Sequence, residues 1–469
     1  NFFYDLVKLF LIKFTIKSSK NKNQSNAIYF HSLSSNLIEE NGECYDRHFS
    51  QSPYLDLNNN YETIYLVTIL PSLVDIKNFL NYINTLKRKL KLLNRNYEIM
   101  NTHLSAALII SLYFNLFKKW GVINKELLSL SKTKLFEINN VDFGDILVNE
   151  IEKSFFGEIQ NSLLYGLSFK SFFLKKGATN KEDIVLTYGE NLSPVRPVYH
   201  FSKISGGKIK FISIQHAVNN RNKIGNYHGQ SDFIKDDKFN FSLIPDYYLL
   251  HGAQSAKITA DFYPKSNMEI IGCLKYDKFR SKEDFLKSKK ERVTKIIGSR
   301  KDKKILLITP SVGDHEELIS VFRAQEKLKG WRIILSLHPA ISVFKVREFI
   351  RNTDLNNSIE IFSDLSSVEL FSVSDLIFCG YSSSIYEALV FGKKVVQYSE
   401  MKTLPLFEPD EKIPFFEGKD QFWEWFRRYE SGFESDFEGV AEHIEKQYFY
   451  KFDGMAASRL WAFIGSMKS

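Results

Sequence analysis

The chain has 469 residues, and its 63 Lys and Arg against 55 Asp and Glu give a net charge of +8. A hydrophobic content of 44% with only 23 Gly and 11 Pro argues against a disordered or collagen-like chain, and the length predicts roughly two or three domains in close contact. The cysteines Cys44, Cys273 and Cys379 form no CxxC pair, which argues against a zinc ribbon or a disulfide framework and favours the cytoplasm.

The first half of the chain alternates short apolar runs with helical patterns, which predicts a parallel α/β sheet. The predicted strands are residues 27–31, 63–70, 184–188, 209–215, 247–251 and 268–272, and the main predicted helices are 74–94 and 103–119. The longest apolar run, residues 104–117, is about 14 residues and falls short of the roughly 20 that a transmembrane helix needs. We therefore expect a buried helix there and no membrane span.

The second half repeats a strand followed by a helix at shorter and more regular intervals. The predicted strands are 304–309, 332–337, 358–362, 375–379 and 394–398, and the helices are 316–328, 343–351, 367–372 and 384–391. This pattern is typical of a Rossmann-like domain, whose ligands bind outside the carboxyl ends of the strands. The charged stretch 275–300 is a predicted hinge, and residues 420–461 are a predicted helical, aromatic-rich tail.

Basic residues concentrate in two places, residues 8–22 and 87–95, and neither belongs to a recognisable nucleic-acid-binding module. They are interpreted as solvated helix faces or as surfaces attracted to anionic lipid or acidic glycan. We expect no nucleic-acid partner.

Two polar segments follow the first two strands of the predicted C-terminal domain. In residues 309–314, Ser311 and Gly313 form a turn that can present N–H groups to a phosphate, or that simply caps a helix. Pro339 ends the next strand and leaves His338 at the edge of the sheet, where the imidazole can donate to or protonate a phosphate leaving group. A satisfied or helix-capping histidine is the alternative.

A third segment, residues 380–389, places hydroxyl groups at the start of a predicted helix. Ser382, Ser383 and Ser384 suit an anion, or alternatively form a strong N-cap with surplus serines. Glu387 lies three residues after Ser384 and is either a capping-box partner or a ligand for ribose hydroxyls.

The His338-Pro339 pair and the serines two strands later resemble the bacterial GT-B glycosyltransferases that use CMP-activated sugars, namely sialyl-, polysialyl- and Kdo-transferases. The resemblance is best over residues 305–400. Residues 188–194, 214–217 and 245–247 are similar to surface-carbohydrate biosynthesis proteins of the same superfamily. The pattern from the serines to Gly392-Lys393 is also similar to CDP-glycerol glycerophosphotransferases.

The resemblance implies a GT-B fold, in which two Rossmann-like α/β domains face each other across a cleft and C-terminal helices pack at the junction. It divides the chain into an acceptor-side domain (1–285), a nucleotide-sugar domain (286–415) and a helical tail that crosses the junction (416–469). It also implies that His338 and the serines hold the nucleotide phosphate and that Glu387 binds ribose.

The resemblance implies an acidic base for the acceptor hydroxyl, and Glu190 occupies the corresponding place. The segment reads Gly189-Glu190-Asn191, with one acid where the sialyltransferases have an acidic pair followed by glycine. His216, which also ends a predicted strand, is the alternative base. No Asp-x-Asp follows a strand, and Asp236 and Asp237 lie in a polar loop, so we expect transfer without a metal or other cofactor.

The expected function is that of a bacterial surface-polysaccharide glycosyltransferase, of the capsule or lipopolysaccharide type. Its donor is a nucleotide sugar, preferably CMP-activated Kdo, sialic acid or another nonulosonic acid, and its acceptor is a glycan or lipid-linked glycan. It is expected in the cytoplasm or on the inner face of the membrane. A CDP-glycerol-type glycerophosphotransferase and a non-catalytic nucleotide-sugar-binding subunit are the alternatives.

Overall fold

The structure of the protein is a computed structural model. It describes residues 2–19, 27–40, 42–49, 62–69, 76–131, 133, 137–138, 141–142, 144–177, 182–188, 195–203, 208–218, 243–279, 281–298, 303–311, 313–323, 328–338, 341–353, 355, 358–362, 365–400, 406, 413–432, 437 and 439–467.

The chain divides into two compact units. The first consists of Asn1–His216, Gly225–Leu249 and Phe262–Glu269, and the second of Ala217–Ile224, Leu250–Asp261 and Ile270–Ser469. The predicted acceptor-side and donor-side roles, and the predicted tail across a domain junction, stay predictions.

The first unit is built on a 7-stranded sheet. Its strands, with those of two small hairpins, are β1 (Ala27–Leu33), β2 (Leu37–Glu40), β3 (Glu43–Asp46), β4 (Glu62–Thr68), β5 (Asn96–Ile99), β6 (Glu137–Ile138), β7 (Val141–Asp142), β8 (Asp183–Thr187), β9 (Ile209–Ile214), β10 (Tyr247–Leu250) and β11 (Met268–Ile270). Its helices are α1 (Phe2–Thr15), α2 (Ile76–Leu92), α3 (Ala106–Ser131), α4 (Gly144–Ser154), α5 (Gln160–Lys176) and α6 (Arg196–Lys203), with a π-helical turn at Phe155–Ile159.

The strand order of this sheet is β11-β10-β9-β8-β1-β4-β5, and every pair in it with a described register is parallel. The chain starts at the central strand β1, adds β4 and β5 on one side, and then returns to add β8 to β11 on the other. The order therefore reverses between β1 and β8. In an open α/β sheet such a switch point, at the carboxyl ends of the strands, is where ligands bind.

The second unit contains a 6-stranded sheet. Its strands are β12 (Lys304–Thr309), β13 (Trp331–Leu335), β14 (Ile359–Ile361), β15 (Leu376–Cys379), β16 (Val395–Tyr398) and β17 (Phe415–Phe416). Its helices are α7 (Ala253–Thr259), α8 (Lys282–Ile297), α9 (His315–Val321), α10 (Val343–Arg351), α11 (Ser367–Phe371), α12 (Ser384–Val390), α13 (Lys419–Glu430), α14 (Val440–Ile444) and α15 (Ala456–Ser466), with a π-helical turn at Glu445–Phe449.

This sheet is parallel throughout, with the order β14-β13-β12-β15-β16-β17. Its strands are apolar on both faces because helices cover both sides. Leu307 and Ile377 pack into one core and Leu306 and Phe378 into the other. The switch point lies between β12 and β15.

Both sheets have the strand order of a Rossmann fold, in which the first strand is central and the order reverses beside it. The predicted fold class, α/β with two Rossmann-like domains, is confirmed, whereas the GT-B arrangement of these domains across a cleft stays a prediction.

Each predicted strand corresponds to an observed strand, with ends that differ by at most two residues. The predicted helix 316–328 is shorter, because the chain leaves helical geometry at Phe322, whose ring is buried against Phe378 and Phe422. The predicted hinge 275–300 contains the helix α8. The elements that were not predicted are the short strands β2, β3, β5, β6, β7 and β17 and the helices α1, α4, α5, α6 and α7.

The predicted buried helix at 103–119 is wrong in character. α3 has 26 residues, of which Ile109, Tyr113, Leu116 and Ser131 are buried. Among the described residues it is the one helix that is long and apolar enough to cross a membrane by length and composition. An apolar run in a sequence predicts a helix with apolar side chains, but it does not show which surfaces those side chains contact.

Candidate functional site

The switch point of the second unit brings together two of the three polar segments predicted from the sequence. Thr309 at the end of β12 is the register partner of Cys379 at the end of β15. Beyond these strands, the Asp314 carboxylate accepts hydrogen bonds from Ser311 N (2.6 Å), Ser311 Oγ (2.9 Å) and Tyr381 N (2.8 Å). Asp314 therefore fixes the Ser311 loop and the serine segment to each other.

Gly380 makes this junction possible. A Cβ atom at position 380 would lie 1.9 Å from Asp314 Oδ2, far inside van der Waals contact. The sequence pattern included both residues but predicted no role for Asp314. A role for Asp314 could have been suspected because it is an acidic residue at the start of a helix beside a switch point. Its hydrogen bond to Tyr381, which is distant in sequence, is visible only in the fold.

The serines of the third segment are half-buried at this edge of the sheet. Ser382 Oγ and Ser384 Oγ are 2.9 Å apart, and Ser383 occupies the N-cap position of α12 without a side-chain capping bond. The alternative interpretation, a strong N-cap formed by a serine side chain, therefore does not hold for α12.

The Glu387 carboxylate pairs with a lysine and does not form a capping box at the start of its own helix. Lys275 Nζ lies 2.7 Å from Glu387 Oε1, and both side chains are partly exposed. The capping-box alternative is absent at α12. Lys275, predicted only as part of a hinge, thus adds a positive charge to the helix that carries the serines.

His338 lies three residues beyond the end of β13, which neighbours β12, so it shares the edge of the sheet with the two linked segments. Its side chain is exposed, and its carbonyl accepts from Ile341 N at 2.9 Å. Ser311 is half-buried and Gly313 is exposed. Pro339 lies outside the described residues.

The switch point of the first unit holds a second polar cluster, centred on the buried Asp46. Its carboxylate accepts from Tyr188 OH (2.9 Å), from His48 N (2.7 Å) and from Ser32 Oγ. Burial raises the pKa of Asp46 to about 6, against the opposing effect of these hydrogen bonds. Tyr188 OH in turn accepts from Leu33 N, so the cluster ties β1 to β8.

His216, one of the predicted bases, belongs to this cluster. The His48 ring lies 4.4 Å from the Tyr188 ring and 5.9 Å from the His216 ring, centroid to centroid. Both imidazoles are half-buried, and an imidazole beside a bound hydroxyl group can act as its general base. Glu190 follows Tyr188 by two residues and lies outside the described residues.

Asp46 and His48 were missed because no strand was predicted at residues 43–46. The signal available was the sequence Asp46-Arg47-His48, an acid and an imidazole in a polar turn. Within the described part of the chain, no group of three or more His, Cys, Asp or Glu side chains is arranged to hold a metal ion. Independence of a metal stays a prediction.

No protein-family model matches the chain, and no curated protein does. Among solved structures, the S. aureus MnaA–UDP complex is 12% identical with a TM-score of 0.48, over 94% of this chain and 96% of that one. UDP-GlcNAc 2-epimerase from Neisseria meningitidis bound to UDP-GlcNAc is 12% identical with a TM-score of 0.48, over 94% and 100%. A variant of the wall teichoic acid polymerase TagF soaked with CDPG is 13% identical with a TM-score of 0.41, over 68% and 97%. At scores below 0.5 these similarities carry no argument about function, and membership of the CMP-sugar-using transferases stays a prediction.

Proposed function

We propose that the protein is a glycosyltransferase of bacterial surface-polysaccharide biosynthesis that moves a sugar from a nucleotide donor to a glycan or lipid-linked glycan. The observation that carries this proposal is the presence of a polar cluster at the switch point of each Rossmann-like sheet. A transferase needs two such places, one for a nucleotide and one for an acceptor hydroxyl.

The nucleotide-sugar substrate binds to the second unit, and a CMP-activated sugar suits the residues of that unit best. The hydroxyls of Ser382, Ser383 and Ser384 and the imidazole of His338 are donors for the single phosphate, in a segment that Asp314 holds in place. Ser311 and Gly313 border the same site. Glu387 accepts from ribose hydroxyls, while its partner Lys275 supplies positive charge beside the phosphate.

In the reaction the acceptor hydroxyl attacks the anomeric carbon, and the bond from that carbon to the phosphate oxygen breaks. CMP leaves with the electron pair, and donors from His338 and the serines stabilise the charge that develops on its phosphate. The proton of the hydroxyl goes to a base in the first unit, either Glu190 or His216. His48 packs beside His216 and orients it, and Tyr188 packs against His48.

Thermal unfolding in the presence of nucleotides tests the donor site. CMP at about 100 times its Kd is expected to stabilise the protein by about 2.7 kcal/mol, and CDP much less. Ser383→Ala and His338→Ala are expected to weaken the effect, whereas Ser342→Ala, at the N-cap of α10, is the matched control and should retain it. Equal stabilisation of all variants by CMP would show that the site is misplaced.

Single substitutions distinguish the two candidate bases. Glu190→Gln or His216→Asn, whichever removes the base, is expected to abolish transfer and donor hydrolysis while leaving stabilisation by CMP intact. Full turnover by both variants would rule out this acceptor site. A loss that depends on Glu190 or His216 would also exclude the non-catalytic alternative.

Transfer of glycerophosphate from a CDP donor is the second candidate. It is favoured by the pattern that runs from Ser383 through Glu387 to Gly392-Lys393, which forms α12 and the turn into β16. In this reaction the pyrophosphate bond of the donor breaks and CMP leaves, as in the first reaction. Turnover of CDP-glycerol in preference to a CMP-activated sugar would therefore support this reaction instead of the first.

A further inference from the structure

Helix α3 of the first unit presents a stripe of exposed apolar side chains to solvent. The stripe, called here the α3 face, consists of Ile110, Phe114, Phe117 and Leu128, which are 53%, 72%, 58% and 43% exposed. At 100° per residue these positions fall within an arc of about 60° on the helix surface. Exposed apolar patches on a protein surface mark sites that bind a partner, a ligand or a membrane.

Lysines border the α3 face. Lys118 and Lys125 are exposed, and their spacing of seven residues places them along one edge of the stripe. The whole helix carries three lysines and one glutamate. An apolar stripe with a cationic edge is complementary to a bilayer with anionic headgroups, since the stems of the lysines can follow the apolar layer while their charges reach the phosphates.

A second helix of the first unit also exposes apolar side chains. α1 packs against α3. It exposes Phe10 and Phe14, whose rings stack 6.2 Å apart, centroid to centroid.

The packing of α3 argues against its crossing a bilayer. A neighbouring side of the helix is buried at Ile109 and Tyr113, and the Tyr113 hydroxyl accepts a hydrogen bond from the Gln160 amide of α5. Trp120 packs against Phe155 of the π-helical turn. A crossing helix would lose these contacts and would place Lys118, in the middle of its length, at the centre of the bilayer, where charge is disfavoured.

We propose that the α3 face docks on an anionic lipid bilayer, with α3 lying in the plane of the interface. The occupant is the lipid surface itself. This inference does not depend on the donor proposed above, because vesicle binding and stabilisation by CMP are separate measurements on separate units.

Flotation with vesicles tests the docking surface. The full chain is expected to float with vesicles of phosphatidylglycerol and phosphatidylethanolamine in equal parts, and far less with phosphatidylcholine vesicles. Phe114→Ser is expected to weaken binding about tenfold, because its ring no longer enters the apolar layer. Phe344→Ser is the matched control, since Phe344 on α10 is 73% exposed and lies in the other unit.

Charge reversal tests the second half of the proposal. Lys118→Glu with Lys125→Glu is expected to weaken binding to the anionic vesicles about tenfold, and Lys287→Glu with Lys290→Glu, on the exposed surface of α8, should not. Unchanged binding of Phe114→Ser, or failure of the wild type to bind, would overturn the proposal. So would a wild-type dimer that Phe114→Ser converts to a monomer, because a second copy would then cover the face.

Depth measurements separate an in-plane helix from a crossing one. Ile110→Cys and Leu128→Cys, each labelled with a fluorophore and quenched by lipids that carry quenchers at known depths, are expected to report the same shallow depth. Labels at opposite leaflets would contradict the in-plane orientation.

Discussion

Asp314 shows how one carboxylate can fix the geometry of two loops. It accepts three hydrogen bonds from Ser311 and Tyr381, and its position depends on the missing side chain of Gly380. Neither loop has regular secondary structure at this point, so the carboxylate supplies the order that a helix or strand would otherwise give. Gly380 and Asp314 therefore act together, and changing either residue should disturb the proposed nucleotide site.

Gly380→Ala is expected to displace Asp314 and to lower the free energy of unfolding by about 2 kcal/mol, because the half-buried partners Ser311 and Tyr381 lose their hydrogen bonds. Urea unfolding measures this loss, and the same variant should lose most of its stabilisation by CMP. Gly465→Ala, in α15, is the matched control, since a Cβ atom there meets nothing within 4 Å. Equal effects of the two substitutions would contradict the role of Gly380.

Asp46 links the first cluster to the pH dependence of stability. Its folded-state pKa of about 6 lies above its ordinary value of 3.8, so the folded protein holds a proton that the unfolded chain has released. The contribution of this group therefore falls as pH rises from about 4 to about 6. Burial lowers the pKa of His31 to about 3, so its contribution changes in the opposite sense and falls as pH drops below 6.5.

A difference measurement isolates Asp46 from His31. Asp46→Asn is expected to be destabilising, and its deficit relative to the wild type should shrink by about 3 kcal/mol between about pH 4 and pH 7. Urea unfolding of both proteins across this range gives the deficit at each pH. A constant deficit would show that Asp46 titrates at its ordinary value.

At the scale of elements, the C-terminal helix α15 depends on a residue far away in sequence. The buried Asp277 carboxylate accepts from Ala456 N (2.9 Å) and Ala457 N (2.6 Å), the first N–H groups of α15. Arg459 of the same helix donates to Ile271 O at 2.7 Å. The segment after β11 and the last helix are thus joined within the second unit.

Asp277→Ala is expected to lower the free energy of unfolding by about 2–4 kcal/mol, since two buried N–H groups lose their acceptor at once. Asp284→Ala is the control, because the Asp284 carboxylate lies in the first turn of α8 but is exposed, and its loss should cost about 1 kcal/mol at most. Denaturant unfolding compares the two. A similar small loss for both would show that water replaces the Asp277 cap.

Much of the fold and part of the site could be predicted from sequence, for physical reasons that differ. Strands such as β12 and β15 are buried on both faces and therefore read as unbroken apolar runs. Residues that directly follow such strands, including Ser311, Ser382 and His216, could be placed at the correct edge of a sheet. Asp46 could not, because its role comes from contacts with Ser32 and Tyr188, which are distant in the chain.

At the scale of the whole molecule, each unit contains its own sheet and its own switch point, so a ligand of one site should report on one unit. Amide hydrogen exchange with CMP is expected to slow in residues 309–314 and 380–387 and to stay unchanged in α3. Anionic vesicles are expected to produce the reverse pattern. Uniform slowing by CMP along both units would contradict this division of ligands.

The α3 face also changes what concentration means for this protein. An enzyme held at an interface meets a lipid-linked acceptor within two dimensions, while its nucleotide arrives from the surrounding water. Its rate should therefore follow the mole fraction of acceptor in the bilayer and fall when inert lipid dilutes that acceptor at constant bulk amount. The rate should depend on the bulk concentration of the nucleotide, as for any dissolved substrate. Diluting the bilayer with inert lipid would therefore affect the acceptor and not the nucleotide.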